Sequence, residues 1–211
     1  MKVRAAIQAM TAYHPPLDMR AAQDYLLLDF NESVVPPSPR VLEAMKAFID
    51  DGKVRMYPSY GSLLEKLSRY VGVTQEQLLL TNGSDGAIQV VTQALLESGD
   101  EMVMPTPGFF VLRSAAEACG AKVVMPPYEA EMRFPLQGVL DAVTPRTRMI
   151  AIISPNNPTG TCASQEQIET LLQRYPDIAV FVDEAYYEFS GKTAVPLLAK
   201  YDNLVITRTF S

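Results

Sequence analysis

Residues able to do chemistry fall in five short stretches: "NGSDG" (82–86), "TPGFF" (106–110), "SPNNPTG" (154–160), "DEAYYE" (183–188) and "RTFS" (208–211). Asp183 stands straight after the apolar run "IAVFV". A carboxylate there is partly desolvated and wants a cationic or protonated partner. Magnesium is one candidate, because an apolar strand ending in Asp-Glu also resembles the acidic strand of a nucleotide hydrolase. That chemistry needs a phosphate loop GxxxxGK[ST], and the sequence holds neither this nor the dinucleotide fingerprint GxGxxG. Magnesium is therefore the minor alternative. Asn82-Gly83 favours positive φ and a tight turn, after which Ser84 or Asp85 caps a helix. Free amides at a helix start make an anion site, though an ordinary strand–helix turn has the same sequence. In "SPNNPTG" the prolines fix the backbone and can aim the amide of Asn156 or Asn157, or simply make a rigid connector.

The elements that must position these stretches follow a rhythm from Leu78 onward. Apolar runs "LLLT", "EMVM", "AKVVM", "MIAIIS", "IAVFVD" and "LVIT" are separated by helical patterns such as "SDGAIQVVTQALLESG" and "SQEQIETLLQRY". The runs "MIAIIS" and "IAVFV" do not alternate with polar residues, as expected of strands buried on both faces of a helix-covered parallel sheet. The fold class expected is α/β, a mostly parallel sheet with helices on both faces. In such a sheet ligands bind outside the carboxyl ends of the strands, where all five stretches fall. Upstream, "SPRVLEAMKAFIDDG" predicts a helix capped by Ser38, with Pro39 in its first turn, Gly52 at its end and Leu42, Met45 and Ile49 on its apolar face. A second helix is expected at "GSLLEKLSRYVG", with Ser62 and Glu65 at capping-box spacing. Residues 1–35 are expected to form an arm, with part of a small domain, and residues 36–211 a single, incomplete large domain.

The chain has 211 residues, 48% hydrophobic and 20% charged, and a formal net charge of -6 from 18 basic and 24 acidic residues. The acidic balance disfavours nucleic acid. No apolar run approaches the ~20 residues of a membrane span, and "MKVRAAIQAMTAYHPP" lacks the sustained apolar stretch of a secretory signal. Cys119 and Cys162 make neither a disulfide framework nor a metal cluster, and no metal is expected. A reducing cytoplasm fits best. The single histidine, His14, precedes two prolines and is expected to lie at the surface.

Taken together, "LLDFNES", "YPSYGSLLEKLSRYVGV", "LLLTNGSDGAI", "SPNNPTG", "FVDEAYYEF" and "NLVITRTFS" resemble the fold-type-I aminotransferases that use pyridoxal 5'-phosphate, the histidinol-phosphate aminotransferase branch most closely. The resemblance implies the large-domain fold of that family and transfer of an amino group from a small-molecule donor to a 2-oxo acid, with histidinol phosphate and 2-oxoglutarate the leading pair. An aromatic or other amino-acid aminotransferase, or a phosphothreonine decarboxylase, is the alternative within it. By resemblance Asp183 lies against the ring nitrogen, and Asn157 and Tyr186 hold the phenolic oxygen. Ser84, Asp85, Thr209 and Ser211 contact the phosphate, Phe109 stacks on the ring, and Phe110 packs. Glu184 faces away, into structure or solvent. Tyr57 reaches the partner subunit's phosphate in a homodimer, and Tyr13, Asn31 and Glu32 cover the substrate. The stretch "NESVVPPSP" departs from the family's Asn-Glu-Asn-Pro and from its glycine before "PSP".

The family's Schiff-base lysine is expected directly after Ser211, and the arginine that grips the substrate's acidic group later still. The chain is accordingly expected to be a fragment, or its sequence to be interrupted at a lysine carrying cofactor. The alternative expectation is a truncated, catalytically dead module that keeps a phosphate-binding edge.

Overall fold

The structure, a computed structural model, describes residues 1–11 and 26–211. Tyr13 and His14 lie outside the described residues. The chain divides into two compact units, residues 11–70 and residues 1–10 with 71–211.

The larger unit is built on a five-stranded parallel sheet in the order β2-β1-β3-β4-β5. Its strands are β1 Glu101–Val103, β2 Lys122–Val124, β3 Thr147–Ile153, β4 Ala179–Asp183 and β5 Leu204–Thr207. Side chains alternate across a strand, so each long strand feeds two cores. Ile150, Ile152, Val180 and Val182 join one core with Ile168, Leu171 and Leu172 of helix Gln165–Arg174. Met149, Ala151, Ile153 and Phe181 join the other, with Ile88 of helix Gly83–Leu95 and Leu112 and Ala116 of helix Phe110–Cys119. Burial on both faces is why β3 and β4 read as continuous apolar runs. Ser164 caps helix Gln165–Arg174 in a reciprocal capping box: Gln167 N donates to Ser164 Oγ at 3.2 Å and Ser164 N to Gln167 Oε1 at 2.9 Å.

At the amino end of the sheet, Glu101 is buried and fully used. It accepts hydrogen bonds from the Thr144 hydroxyl at 2.5 Å and Arg146 Nη2 at 2.8 Å. Those donors, Thr144 first, hold its carboxyl below the usual range.

Several expectations are corrected. "LLLT" is extended but pairs with no strand among the described residues, and Leu79 is 71% exposed, so the parallel ladder begins at Glu101. Helix Gly83–Leu95 starts at Gly83, with Asn82 at its N-cap, so neither Ser84 nor Asp85 caps it. In the smaller unit, Ser38 is the N-cap of helix Pro39–Asp50, though its side chain makes no capping bond, and Gly52 follows at φ 66°. Leu42, Met45 and Ile49 lie exposed on that helix rather than in a core. The helical spacing is real, but no described residue of the smaller unit covers the face it creates. Helix Gly61–Val71 takes Ser62 into its first turn, and Glu65 pairs with Arg69 at 3.5 Å instead of closing a capping box.

Candidate active site at the carboxyl edge of the sheet

The strand ladder decides where Asp183 points. Phe181 faces the core of helices Gly83–Leu95 and Phe110–Cys119, and so, two residues on, does Asp183. Its register partners are Ile153 on β3 and Thr207 on β5. Asp183 is 2% exposed. Its Oδ1 accepts a hydrogen bond from Thr207 Oγ1 at 3.0 Å and another from Ala185 N at 3.1 Å. Its Oδ2 has no hydrogen-bond donor among the described residues. Burial pushes the carboxyl above its ordinary range. The bonds from Thr207 and Ala185 oppose that push, and the nearby charges of Asp85 and Glu184 add to it. The result is a rigid acid on the sheet with one oxygen unsatisfied.

Glu184 takes the opposite face, into structure rather than solvent. It is 1% exposed, and its oxygens accept from Ala194 N at 2.7 Å, from Thr193 Oγ1 at 2.9 and 3.0 Å, and from Arg208 Nε at 3.0 Å. Arg208 Nη2 approaches Glu184 Oε2 to 2.9 Å, and the guanidinium lies 3.6 Å from the Tyr187 ring centroid. Sequence reasoning left Arg208 without a role. The signal for it was present: β5 ends apolar–polar–basic beside a strand ending in two acids.

The loop "SPNNPTG" divides its two asparagines. Asn156 is buried, and its Nδ2 donates to Pro107 O at 3.0 Å and to Thr159 Oγ1 at 2.9 Å. It therefore ties this loop to "TPGFF", which carries Phe109. Asn157 is only partly buried, and no described residue hydrogen-bonds its amide. Phe109 is partly buried against the core of helix Phe110–Cys119, at that helix's N-cap. Phe110 is partly buried at the start of that helix.

Helix Gly83–Leu95 opens at Gly83, whose φ is 69° and around whose missing Cβ there is open space. Gly83 N donates to Thr81 O at 3.0 Å, and the next amides of the first turn have no acceptor within their own helix. Ser84 is partly buried and Asp85 exposed. Beyond β5, Thr209 Oγ1 and Ser211 Oγ lie 2.9 Å apart. Tyr186 follows Asp183 in the turn out of β4, its ring 6.3 Å from that of Phe189. Asn157, Asp183 and Tyr186 thus leave the carboxyl ends of adjacent strands, and Phe109, Ser84, Thr209 and Ser211 belong to the same unit. Asn31, Glu32 and Tyr57 belong to the other, where Tyr57 is fully exposed.

The profile of "Aminotransferase class I and II" matches residues 23–211, and the chain belongs to that family. Histidinol-phosphate aminotransferase of Dehalococcoides mccartyi is 35% identical over 203 residues, covering 95% of this chain and 55% of the relative. That of Methanocella arvoryzae is 40% identical over 184 residues, covering 86% and 50%. The crystal structure of histidinol-phosphate aminotransferase from Sinorhizobium meliloti in complex with pyridoxal-5'-phosphate superposes with a TM-score of 0.87 at 23% identity, covering 100% of this chain and 59% of that one. A single mutant of Thermus thermophilus aspartate aminotransferase gives 0.82 at 25% identity, covering 99% and 60%. The chain spans between half and three fifths of the length of these proteins.

Two expectations about stability follow. Arg208→Met strands Glu184 in the interior and should cost about 3–5 kcal/mol, whereas Arg208→Met with Glu184→Gln should recover part of the loss. Urea unfolding midpoints compare the variants. The second concerns Asp183 in protein free of ligand. A carboxyl whose pKa is raised on folding stabilises the fold fully below its unfolded value near 3.8, and that contribution is lost as pH rises through the folded value. Asp183→Asn keeps both acceptor bonds on its amide oxygen and removes the charge. It should be more stable than the parent at pH 7 and lose that advantage on acidification, as unfolding measured across pH 3–8 would record.

Proposed function

We propose that the protein is an aminotransferase that uses pyridoxal 5'-phosphate, with histidinol phosphate as amino donor and 2-oxoglutarate as acceptor. The observation that carries the reading is the buried Asp183 with one oxygen unsatisfied at the carboxyl edge of the sheet. The names of relatives 34–40% identical to it supply the donor, histidinol phosphate, and the resemblance supplies 2-oxoglutarate as the acceptor.

The residues present fit the cofactor chemically. A desolvated carboxylate with a vacant oxygen suits a protonated ring nitrogen, whose charge offsets the cost of burial. The open helix start at Gly83, with Ser84, Asp85, Thr209 and Ser211, supplies amides and hydroxyls for a phosphate. Asn157 and Tyr186 bring an amide and a phenol suited to an ionised phenolic oxygen. Phe109 offers a ring for stacking. When bound, the cofactor supplies an electron sink for the carbanion formed at the substrate's α-carbon.

The protein's own work is positional. Asp183 would hold a negative charge beside the ring nitrogen and keep its proton there, and Asn157 and Tyr186 would hold the ring's phenolic oxygen; Asn156 holds the Asn157 loop against the Phe109 loop. The lysine expected after Ser211 belongs to this proposal, as do cytoplasmic location, a site covered by Tyr13, Asn31 and Glu32, and a homodimer whose Tyr57 serves the partner's phosphate. The uncovered apolar face of helix Pro39–Asp50 favours such a dimer, since a face of that kind is stabilised by burial. Among the described residues no helix is long and apolar enough to cross a membrane.

In the full-length protein Asp183→Ala should lower turnover about a hundredfold or more with the fold retained. Steady-state comparison of histidinol phosphate, phenylalanine and O-phosphothreonine should favour the first; preference for another donor would move the assignment within the family. Near-normal turnover of the Asp183→Ala variant would overturn the site. Sedimentation should give a dimer, and Tyr57→Phe should weaken cofactor binding several-fold. A monomer with undiminished affinity in that variant excludes the shared site.

A further inference from the structure

We propose that Thr207 is a positioning residue that turns the Asp183 carboxylate and sets its basicity. The proposal rests on the reading of this edge as a pyridoxal-phosphate site.

The geometry comes from the β4–β5 ladder. Asp183 and Thr207 are register partners, the last rung of that pairing. Glu184 N donates to Thr207 O at 2.8 Å, which closes the ladder just past the rung. The alternation that sends Val205 to the core of helices Gly83–Leu95 and Phe110–Cys119 sends Thr207 to the same face as Asp183. Thr207 is 5% exposed, and its hydroxyl is 3.0 Å from Asp183 Oδ1. Ala185 N reaches the same oxygen at 3.1 Å.

Both protein donors therefore converge on Oδ1, one from each side of the acid along the chain and across the sheet. A carboxylate held at one oxygen by two donors cannot rotate without breaking both bonds. Oδ2 is left as the only acceptor site on a buried acid without a donor among the described residues. The other charged groups near Asp183, Asp85 and Glu184, are acids and supply no donor. Thr207 thus does two things. It points Oδ2 outward, and by donating to the charged form it holds the carboxylate less basic than burial alone would leave it. A less basic carboxylate leaves the proton on the ring nitrogen instead of taking it. A threonine fits this role better than a longer donor, because its β-branched stem packs in a strand while its hydroxyl reaches across one rung.

The test uses full-length protein loaded with pyridoxal phosphate labelled with 15N in the ring, and compares the parent with Thr207→Val, Thr207→Ser and Asp183→Asn. Thr207→Val keeps the shape and deletes the donor; Thr207→Ser keeps the donor. The ring 15N resonance of the parent should lie at the protonated position, and Asp183→Asn should move it to that of neutral pyridine. Thr207→Val should move it part of the way and weaken cofactor binding about tenfold, while Thr207→Ser stays near the parent on both. Loss of folding stability in Thr207→Val without any change in the 15N resonance would overturn the positioning role while leaving the site reading intact. A parent that binds no cofactor, or whose resonance does not respond to Asp183→Asn, would overturn the site reading itself.

Discussion

One oxygen atom organises this structure. Burying a carboxylate without donors is strongly unfavourable, and proteins normally satisfy both oxygens or neutralise the group. The fold obeys that rule at Glu101, which is paired with Thr144 and Arg146 at the amino edge of the sheet. It obeys it again at Glu184, enclosed by Arg208, Thr193 and Ala194 N. It departs from the rule at Asp183, between these two in neither chemistry nor burial but in what has been left undone. Glu101 is held below the ordinary carboxyl range and Asp183 is pushed above it. The two differ in their donors: Glu101 has one on each oxygen, whereas among the described residues Asp183 has donors on one oxygen alone.

The sheet makes the preparation possible. Because β4 and β5 run parallel in register from Val180 and Leu204, adjacent residues of each strand are sorted to opposite faces. Asp183 and Thr207 go to the face of helices Gly83–Leu95 and Phe110–Cys119; Glu184 and Arg208 go to the other. The acidic pair is thereby split into one residue that holds the strand ends together and one whose Oδ2 has no donor among the described residues. The buried Glu184–Arg208 pair, backed by the Tyr187 ring, anchors the start of the segment that carries Thr209 and Ser211. Structural and chemical roles are one residue apart, and the pleat keeps them from interfering.

Much of this was legible in the sequence, and the boundary of legibility has a physical cause. The runs in β3 and β4 announced a sheet covered on both faces, and an acid placed straight after β4 announced a desolvated carboxylate. These are local properties, carried by neighbours in the chain. The Thr207–Asp183 bond was not legible, because it joins residues 24 apart through the register of two strands. The failed strand at "LLLT" has the same origin: a β-branched and leucine-rich run becomes a strand only where a partner offers a ladder. The apolar spacing of Leu42, Met45 and Ile49 identified a helix correctly, but what covers a face is a tertiary fact that spacing does not contain. The capping box expected at Ser62 does not form, because the helix beginning at Gly61 takes that serine into its first turn.

The two asparagines of "SPNNPTG" carry the same logic into a loop. In sequence they are equivalent: both are flanked by proline, and either amide could be aimed by the rigid backbone. In the folded loop Asn156 is buried and gives its amide to Pro107 and Thr159, binding two loops of the edge to each other. Asn157 is left partly exposed with its amide unused. As at Asp183 and Glu184, adjacent residues of like chemistry are divided into one that the fold consumes and one that it withholds. Residue type therefore names the candidates at this edge, and the hydrogen-bond accounting selects among them. A polar atom held in place by its neighbours yet denied a partner of its own is where a ligand gains most from binding, because there the desolvation cost has already been met by folding.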